Sequence, residues 1–138
     1  MGRAAKNVNQ LFITLIRTHH ITSRKKLQRV KKAAEQCEIP FVLIRSGGAP
    51  GIMYAEGPDE SGIASWVGAV KSFQYKDFQW VQKTSHAPVR IDDDEERAKH
   101  AAAGFNEVAT VAEFGEVMSR KGLSQWWKVG MGYEAGDR

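Results

Sequence analysis

Short apolar runs alternate with stretches of helical periodicity over the first half of the chain. Residues 11–16 are apolar and β-branched, which predicts a buried strand. Thr22 or Ser23 then offers an N-cap hydroxyl, and Pro40 bars helix continuation. Between them, apolar positions recur at helical spacing at Leu27, Val30, Ala34 and Cys37. The pattern therefore predicts an amphipathic helix over residues 23–38.

The next segment predicts a strand pair and a second helix. Residues 41–44 and 52–55 are apolar strands, and the glycine-rich residues 47–51 between them are a turn signal. Asp59 can cap the helix that follows. Its core-facing stripe consists of Ile63, Trp66, Val67, Val70 and Phe73.

The second half gives weaker signals. Residues 78–82 predict a fourth strand and residues 104–108 a short fifth one, with an exposed acidic excursion at 84–103 between them. Thr110 and Glu113 form a capping-box pattern for a last helix that Gly122 ends. We interpret Trp126 and Trp127 as packing residues of that helix, with a base-stacking platform as the alternative.

The element order is β-α-β-β-α-β with an added strand and helix. This order predicts an α+β domain of the ferredoxin-like split βαβ type, an antiparallel sheet with two helices on one face. We expect a single domain over residues 11–132, preceded by a flexible segment at 1–10 and followed by a frayed tail at 133–138.

Composition is that of a globular protein. Apolar residues make up 42% and charged residues 26% of the chain, close to the average. The single cysteine, Cys37, cannot form an internal disulfide. We find neither a signal peptide nor an apolar run of membrane-spanning length. These features predict a soluble intracellular protein, nuclear or cytoplasmic, without a membrane partner.

Charge is segregated along the chain. The first 34 residues contain nine Lys or Arg and no acid, whereas the remainder carries eleven basic and sixteen acidic residues. A basic surface on a mildly acidic body is typical of proteins that bind polyanions.

The first predicted helix concentrates this charge. Lys25, Arg29 and Lys32 fall opposite its apolar stripe, and the basic first turn is unfavourable for the helix dipole unless an anion binds there. The simpler alternative is a solvated outer face. The candidate nucleic-acid-binding residues are Arg17, His19, His20, Arg24, Lys25, Lys26 and Arg29.

No catalytic, metal or cofactor site is predicted. Adjacent His19 and His20 in a strand point to opposite faces and are poor joint metal ligands. His20 and Thr22 match only one of the two His-x-Thr motifs that histidine phosphoesterases use. Glu56 lies near Asp59 and Glu60, and we interpret the three acids as capping a helix. We therefore expect a protein that is not an enzyme.

Five segments of the chain form a recognisable set: Ile16-Arg17-Thr18-His19-His20-Ile21, Ser23-Arg24-Lys25-Lys26, Pro50-Gly51-Ile52-Met53-Tyr54-Ala55-Glu56-Gly57, Phe114-Gly115-Glu116 and Arg120-Lys121-Gly122-Leu123. In this order they resemble the C-terminal domain shared by RWD-domain-containing proteins and the spliceosomal pre-mRNA-processing factor three proteins. The resemblance covers roughly residues 11–132. It implies a ferredoxin-like domain, which binds small nuclear RNA in the splicing branch.

Together, charge and resemblance predict a non-enzymatic RNA-binding domain whose basic first helix contacts phosphates. The alternative is a protein–protein interaction module without a nucleic-acid ligand. An exposed apolar patch would favour the second interpretation.

Overall fold

Strands and helices follow one another closely in the computed structural model, which describes residues 11–87 and 104–135. The elements are β1 (Phe12–Thr18), α1 (Arg24–Gln36), β2 (Phe41–Arg45), β3 (Gly51–Gly57), α2 (Glu60–Ser72), β4 (Gln79–His86), β5 (Gly104–Val108), α3 (Val111–Arg120) and α4 (Ser124–Met131). The predicted α+β class is confirmed. The predicted N-terminal segment at 1–10 and the acidic run at 92–96 lie outside the described residues.

Of the four helices among the described residues, three begin at side-chain caps that the sequence predicts. Ser23 Oγ accepts a hydrogen bond from the Lys26 amide at 3.1 Å, and Asp59 accepts from Ser61 N. Thr110 and Glu113 form the reciprocal capping box at α3. Each cap satisfies backbone N–H groups that the first helical turn leaves without partners. Helix α4 differs, because the residue at its N-cap, Leu123, makes no side-chain capping bond.

The five strands form one mixed sheet in the order β4-β1-β3-β2-β5. Strand β1 pairs antiparallel with β3 and β4, and β2 pairs antiparallel with β3. Strand β5 pairs parallel with β2, in register from Phe41 opposite Gly104 to Arg45 opposite Val108. The Gly104 amide donates to Pro40 O at 2.7 Å, so β5 starts at the end of the sheet where β2 starts. This edge makes the sheet mixed, whereas the sequence predicted an antiparallel one, and the five-strand order differs from that of a four-stranded split βαβ sheet.

Helices α1 and α2 cover one face of the sheet. Leu27, Val30 and Ala34 pack there with the α2 stripe and with inward side chains of β1, β2 and β3. Trp66 is fully buried, and its indole N–H donates to Val30 O at 3.2 Å. The predicted core of the first two helices is therefore confirmed. Cys37 packs partly buried against the same cluster.

Helices α3 and α4 cover the opposite face, where the sequence predicted only one added helix. Phe114, Met118, Trp127 and Met131 pack on side chains of β1, β2 and β3 that point away from α1. The physical reason lies in the strands, whose side chains are buried on both faces and therefore need a layer on each side. The predicted packing role of Trp127 is confirmed, because its ring stacks on Phe114 with centroids 6.0 Å apart.

Two further regions complete the described fold. Strand β4 runs to His86, further than the predicted 78–82. After α4, the Tyr133 amide donates to Lys128 O at 2.8 Å, and Lys128 pairs with Glu134 at 3.8 Å. Within residues 11–87 and 104–135, no helix is both long enough and apolar enough to cross a bilayer.

Candidate nucleic-acid interface

The outward face of α1 carries a row of cations. Lys25, Arg29 and Lys32 are exposed, while Leu27 and Val30 on the opposite side are buried. The three cations are spaced i, i+4 and i+7, so they lie on one line that runs for roughly 10 Å along the helix at 1.5 Å per residue. We call Lys25, Arg29 and Lys32 the α1 basic row.

None of the three basic-row side chains forms an ion pair with another residue in the described part of the chain. The first turn of α1 contains no acid, and its last turn contains no base. The helix therefore has its charge arranged against its own dipole, which disfavours cations near the N-terminus. An external anion would relieve that arrangement.

Arg24 is engaged elsewhere. Its guanidinium makes two hydrogen bonds to the Glu107 carboxylate, at 2.8 and 3.1 Å, which fasten the start of α1 to β5. Glu107 also accepts from Ser46 Oγ at 3.2 Å. The hydrogen bond raises the pKa of Arg24 and lowers the pKa of Glu107. Arg24 therefore contributes little free charge to the interface, since a carboxylate already compensates it.

Lys26 is only partly available. It is half-buried, its ammonium donates to Gln74 O at 3.2 Å, and it lies 5.0 Å from the centroid of the Tyr75 ring. These contacts hold Lys26 against the loop that follows α2. Burial raises the pKa of the Tyr75 hydroxyl to about 12, so the ring stays neutral beside the cation.

Arg17 and the two histidines lie at the end of β1, away from the basic row. Arg17 points to the α3–α4 side, where Nη1 donates to Met131 O at 3.3 Å. With His19, Asp77 and Gln79 it lines a cleft of about 240 Å³. His19 Nδ1 lies 3.6 Å from Asp77 Oδ2. The His19 ring packs against His20, which is exposed, with centroids 4.8 Å apart.

The structure thus divides the seven predicted residues into separate groups. Lys25 and Arg29 stay together on α1, and Lys32 joins them although it was not among the predicted site residues. Lys32 follows Arg29 by three residues, a spacing that places both on one helix face and could have added Lys32 to the predicted site. Arg17 is displaced because alternate residues of a strand point to opposite faces. Glu107, the partner of Arg24, lies 83 positions away and has no sequence signal.

Aromatic side chains are absent from the outer surface of α1 and α2. Every Phe, Tyr and Trp of the sequence falls within the described residues. Among the described residues, Tyr133 is the only large hydrophobic residue that is exposed, at 49%. It lies beyond α4 and packs edge-on against Trp127. The outer face of α2 carries small side chains instead, among them Ala64, Ser65 and Gly68. The surface beside the basic row offers charge without stacking rings.

A second polar cluster lies inside the α3–α4 layer. Glu56 and Lys121 form an ion pair at 3.1 Å, with side chains only 3% and 5% exposed. Tyr54 donates its hydroxyl hydrogen to Glu56 Oε1 at 2.6 Å, and the pKa of Tyr54 is raised well above its usual value, first by burial and then by the carboxylate. The interpretation of Glu56 as a helix-capping acid is therefore wrong, because Glu56 is a buried residue of β3. Asp59 alone provides the cap of α2.

No protein-family model matches the sequence, and no curated protein sequence matches it. Within the described part of the chain, no group of three His, Cys, Asp or Glu side chains is arranged to hold a metal ion.

Proposed function

We propose that this protein binds RNA through phosphate contacts to the α1 basic row. The observation that carries the proposal is the exposure of Lys25, Arg29 and Lys32 along one line, without an acidic partner among the described residues. Cations that neutralise phosphates release condensed counterions from the nucleic acid, and this release drives association. A fixed row on a rigid helix can meet several phosphates at once.

The burial pattern favours RNA over a membrane surface. A helix that lies in a bilayer interface must present an apolar face to the lipid. The apolar face of α1 is instead committed to the core, with Leu27 and Val30 almost fully buried. The basic row therefore has only electrostatic contacts to offer.

The composition of this surface favours binding to duplex RNA over binding to single-stranded RNA. Proteins that bind single strands stack bases on aromatic rings, whereas duplex RNA is recognised through its shape, phosphates and 2′-hydroxyls. The described face of α1 and α2 carries no exposed aromatic ring. Lys26 lies on α1 beside the basic row, and Arg17, His19, His20 and Arg24 make smaller contributions because they lie elsewhere or are paired.

We further infer that β1 to β4 with α1 and α2 form a ferredoxin-like unit, to which β5, α3 and α4 are added. The antiparallel pairing of β1 with β3 and β4 supports this assignment. It agrees with the resemblance to the domain of RWD-domain-containing and pre-mRNA-processing proteins. An RNA ligand would be met in the nucleus or the cytoplasm.

Charge reversal of the basic row tests the proposal. The variant Lys25→Glu, Arg29→Glu, Lys32→Glu should fold normally, since all three side chains are exposed. We expect its affinity for a 20-base-pair RNA duplex to fall steeply. The slope of log affinity against log salt should shrink by up to about 0.9 per lost phosphate contact.

A matched control separates the basic row from net charge. The variant Lys71→Glu, Lys76→Glu, Arg120→Glu changes the same total charge at exposed positions outside α1. It should retain most of the duplex affinity and salt slope. Equal loss in both variants, or unchanged binding by the α1 variant, would contradict the proposal. A parent protein with no salt-dependent RNA binding near micromolar concentration would favour the protein-interaction module instead.

A further inference from the structure

A cleft opens between α3 and the edge of the sheet formed by β2 and β5, on the side away from the basic row. Its volume is about 300 Å³, at the lower end of the range for small-molecule sites. This is about ten times the volume that a water molecule occupies in the liquid. Its walls consist of Phe41, Leu43, Asn106, Glu107, Val108, Val117, Arg120 and Lys121.

A buried cation forms part of the cleft wall. Lys121 is 5% exposed, pairs with Glu56 at 3.1 Å and lies 4.2 Å from the centroid of the Phe41 ring. An ammonium carries three N–H donors. The carboxylate and the ring face account for two contacts, so the ammonium retains capacity for one more acceptor. Such a donor in a secluded site is worth more than one in water.

The charges around the cleft leave one cation uncompensated within the described residues. Glu56 balances Lys121, and Arg24 balances Glu107. Arg120, which lines the cleft, has no ion-pair partner in the described part of the chain. The net charge left at the cleft is the single positive charge of Arg120, which one bound monoanion would neutralise.

The rest of the wall is apolar. Phe41 and Leu43 contribute from β2, Val108 from β5 and Val117 from α3. Asn106 adds one amide, which also donates to Gly104 O at 3.1 Å. Small-molecule sites combine an apolar lining with a few polar groups that fix orientation, and this wall has the same composition.

We propose that this cleft binds a small monocarboxylate with an apolar body, such as a medium-chain fatty acid. The carboxylate lies between the Arg120 guanidinium and the Lys121 ammonium, and the hydrocarbon chain contacts Leu43, Val108 and Val117. The site is separate from the α1 basic row, so it does not depend on the proposed RNA binding.

The test is an NMR titration of the full chain with sodium octanoate, with 1-octanol at the same concentrations as the uncharged control. We expect saturable shifts of the Val108 and Val117 methyl groups and of the Asn106 side-chain amide. A ligand of about ten non-hydrogen atoms should bind with a Kd on the order of 1 mM. Octanol should bind at least about tenfold more weakly, because it lacks the charge-assisted hydrogen bonds.

Two variants and one control sharpen the test. Arg120→Gln removes an exposed side chain, should leave the fold intact and should raise the Kd about tenfold. Val117→Phe places a ring in the cleft and should abolish saturation. Lys71→Gln removes a charge on α2 and should change nothing. Equal binding of octanol and octanoate, shifts confined to residues outside the cleft, or an unchanged Kd for Arg120→Gln would overturn the proposal, even if Val117→Phe fails to fold.

Discussion

The two helical layers on this sheet treat charge in opposite ways. In the α1–α2 layer, no charged residue is among the buried described side chains, and the polar groups of the core beneath are hydroxyls and the Trp66 indole N–H. In the α3–α4 layer, the described core contains Glu56 and Lys121, the buried charged residues of that part of the chain. Both layers cover strands of similar apolar character, so the strands alone do not explain the difference.

The comparison shows that a charged side chain is stable in this core only where an element distant in sequence provides a partner for it. Glu56 is tolerated because Lys121 arrives from the end of α3 and Tyr54 adds a hydroxyl donor. No described cation enters the core of the other layer. A buried carboxylate without a partner loses its hydration and gains no compensating hydrogen bond or ion pair. A buried carboxylate should therefore lower the free energy of unfolding more in the α1–α2 layer than in the α3–α4 layer.

The largest expected effect comes from a carboxylate in the α1–α2 core. Val70 is fully buried, and Val70→Asp should abolish cooperative unfolding because the unpaired charge costs several kcal/mol. Ala64→Asp on the exposed face of the same helix is the matched control and should unfold within about 0.5 kcal/mol of the parent. Urea denaturation followed by circular dichroism measures both. A soluble Val70→Asp protein with a sharp transition would contradict the assigned core.

The second effect concerns the ion pair of the other layer. Lys121→Met leaves Glu56 buried beside the Tyr54 hydroxyl alone, and Glu56→Gln leaves the ammonium uncompensated. Each single variant should lose about 3–5 kcal/mol of the free energy of unfolding. The double variant keeps an acceptor for Tyr54 and should lie within about 1 kcal/mol of the parent. Additive losses in this double-mutant cycle would show that the two side chains act independently.

The smallest expected effect concerns the ion pair between Arg24 and Glu107, which joins α1 to β5 at the surface. The pKa of Glu107 is lowered in the folded state from its usual 4.5. The pair therefore contributes stability above pH 4.5, and this contribution is lost as the pH falls through the lower folded value. Glu107→Gln should lower the urea midpoint slightly at pH 7 and not at all near pH 2. A difference that persists at pH 2 would assign the effect to packing rather than charge.

Much of the first half of the fold could be predicted from the sequence, because its signals are local. Three local signals define α1: the apolar spacing of Leu27, Val30 and Ala34, the N-cap at Ser23, and Pro40 after its end. The same holds for α2 and its Asp59 cap. Where periodicity, cap and breaker agree, neighbouring residues suffice to define the element.

The α3–α4 layer was harder to predict because its causes are distant in sequence. Helix α4 is short and starts without a side-chain cap, so it gives no start signal. Glu56 and Lys121 lie far apart, and the sequence around Glu56 looks like a helix start. The candidate site shows the same limit: Lys25 and Arg29 follow from helical spacing, whereas the pairing of Arg24 and the displacement of Arg17 depend on the sheet.

The late position of α3 and α4 in the chain has a consequence for biosynthesis. During translation, β1, β2 and β3 emerge long before residues 111–131, whose helices cover their second face. Until then Ile13, Leu15 and Leu43 lack the helices that cover them on that side, and such transient apolar surface promotes aggregation. A nascent chain stalled before residue 111 should therefore recruit chaperones, and release from them should coincide with the synthesis of α4.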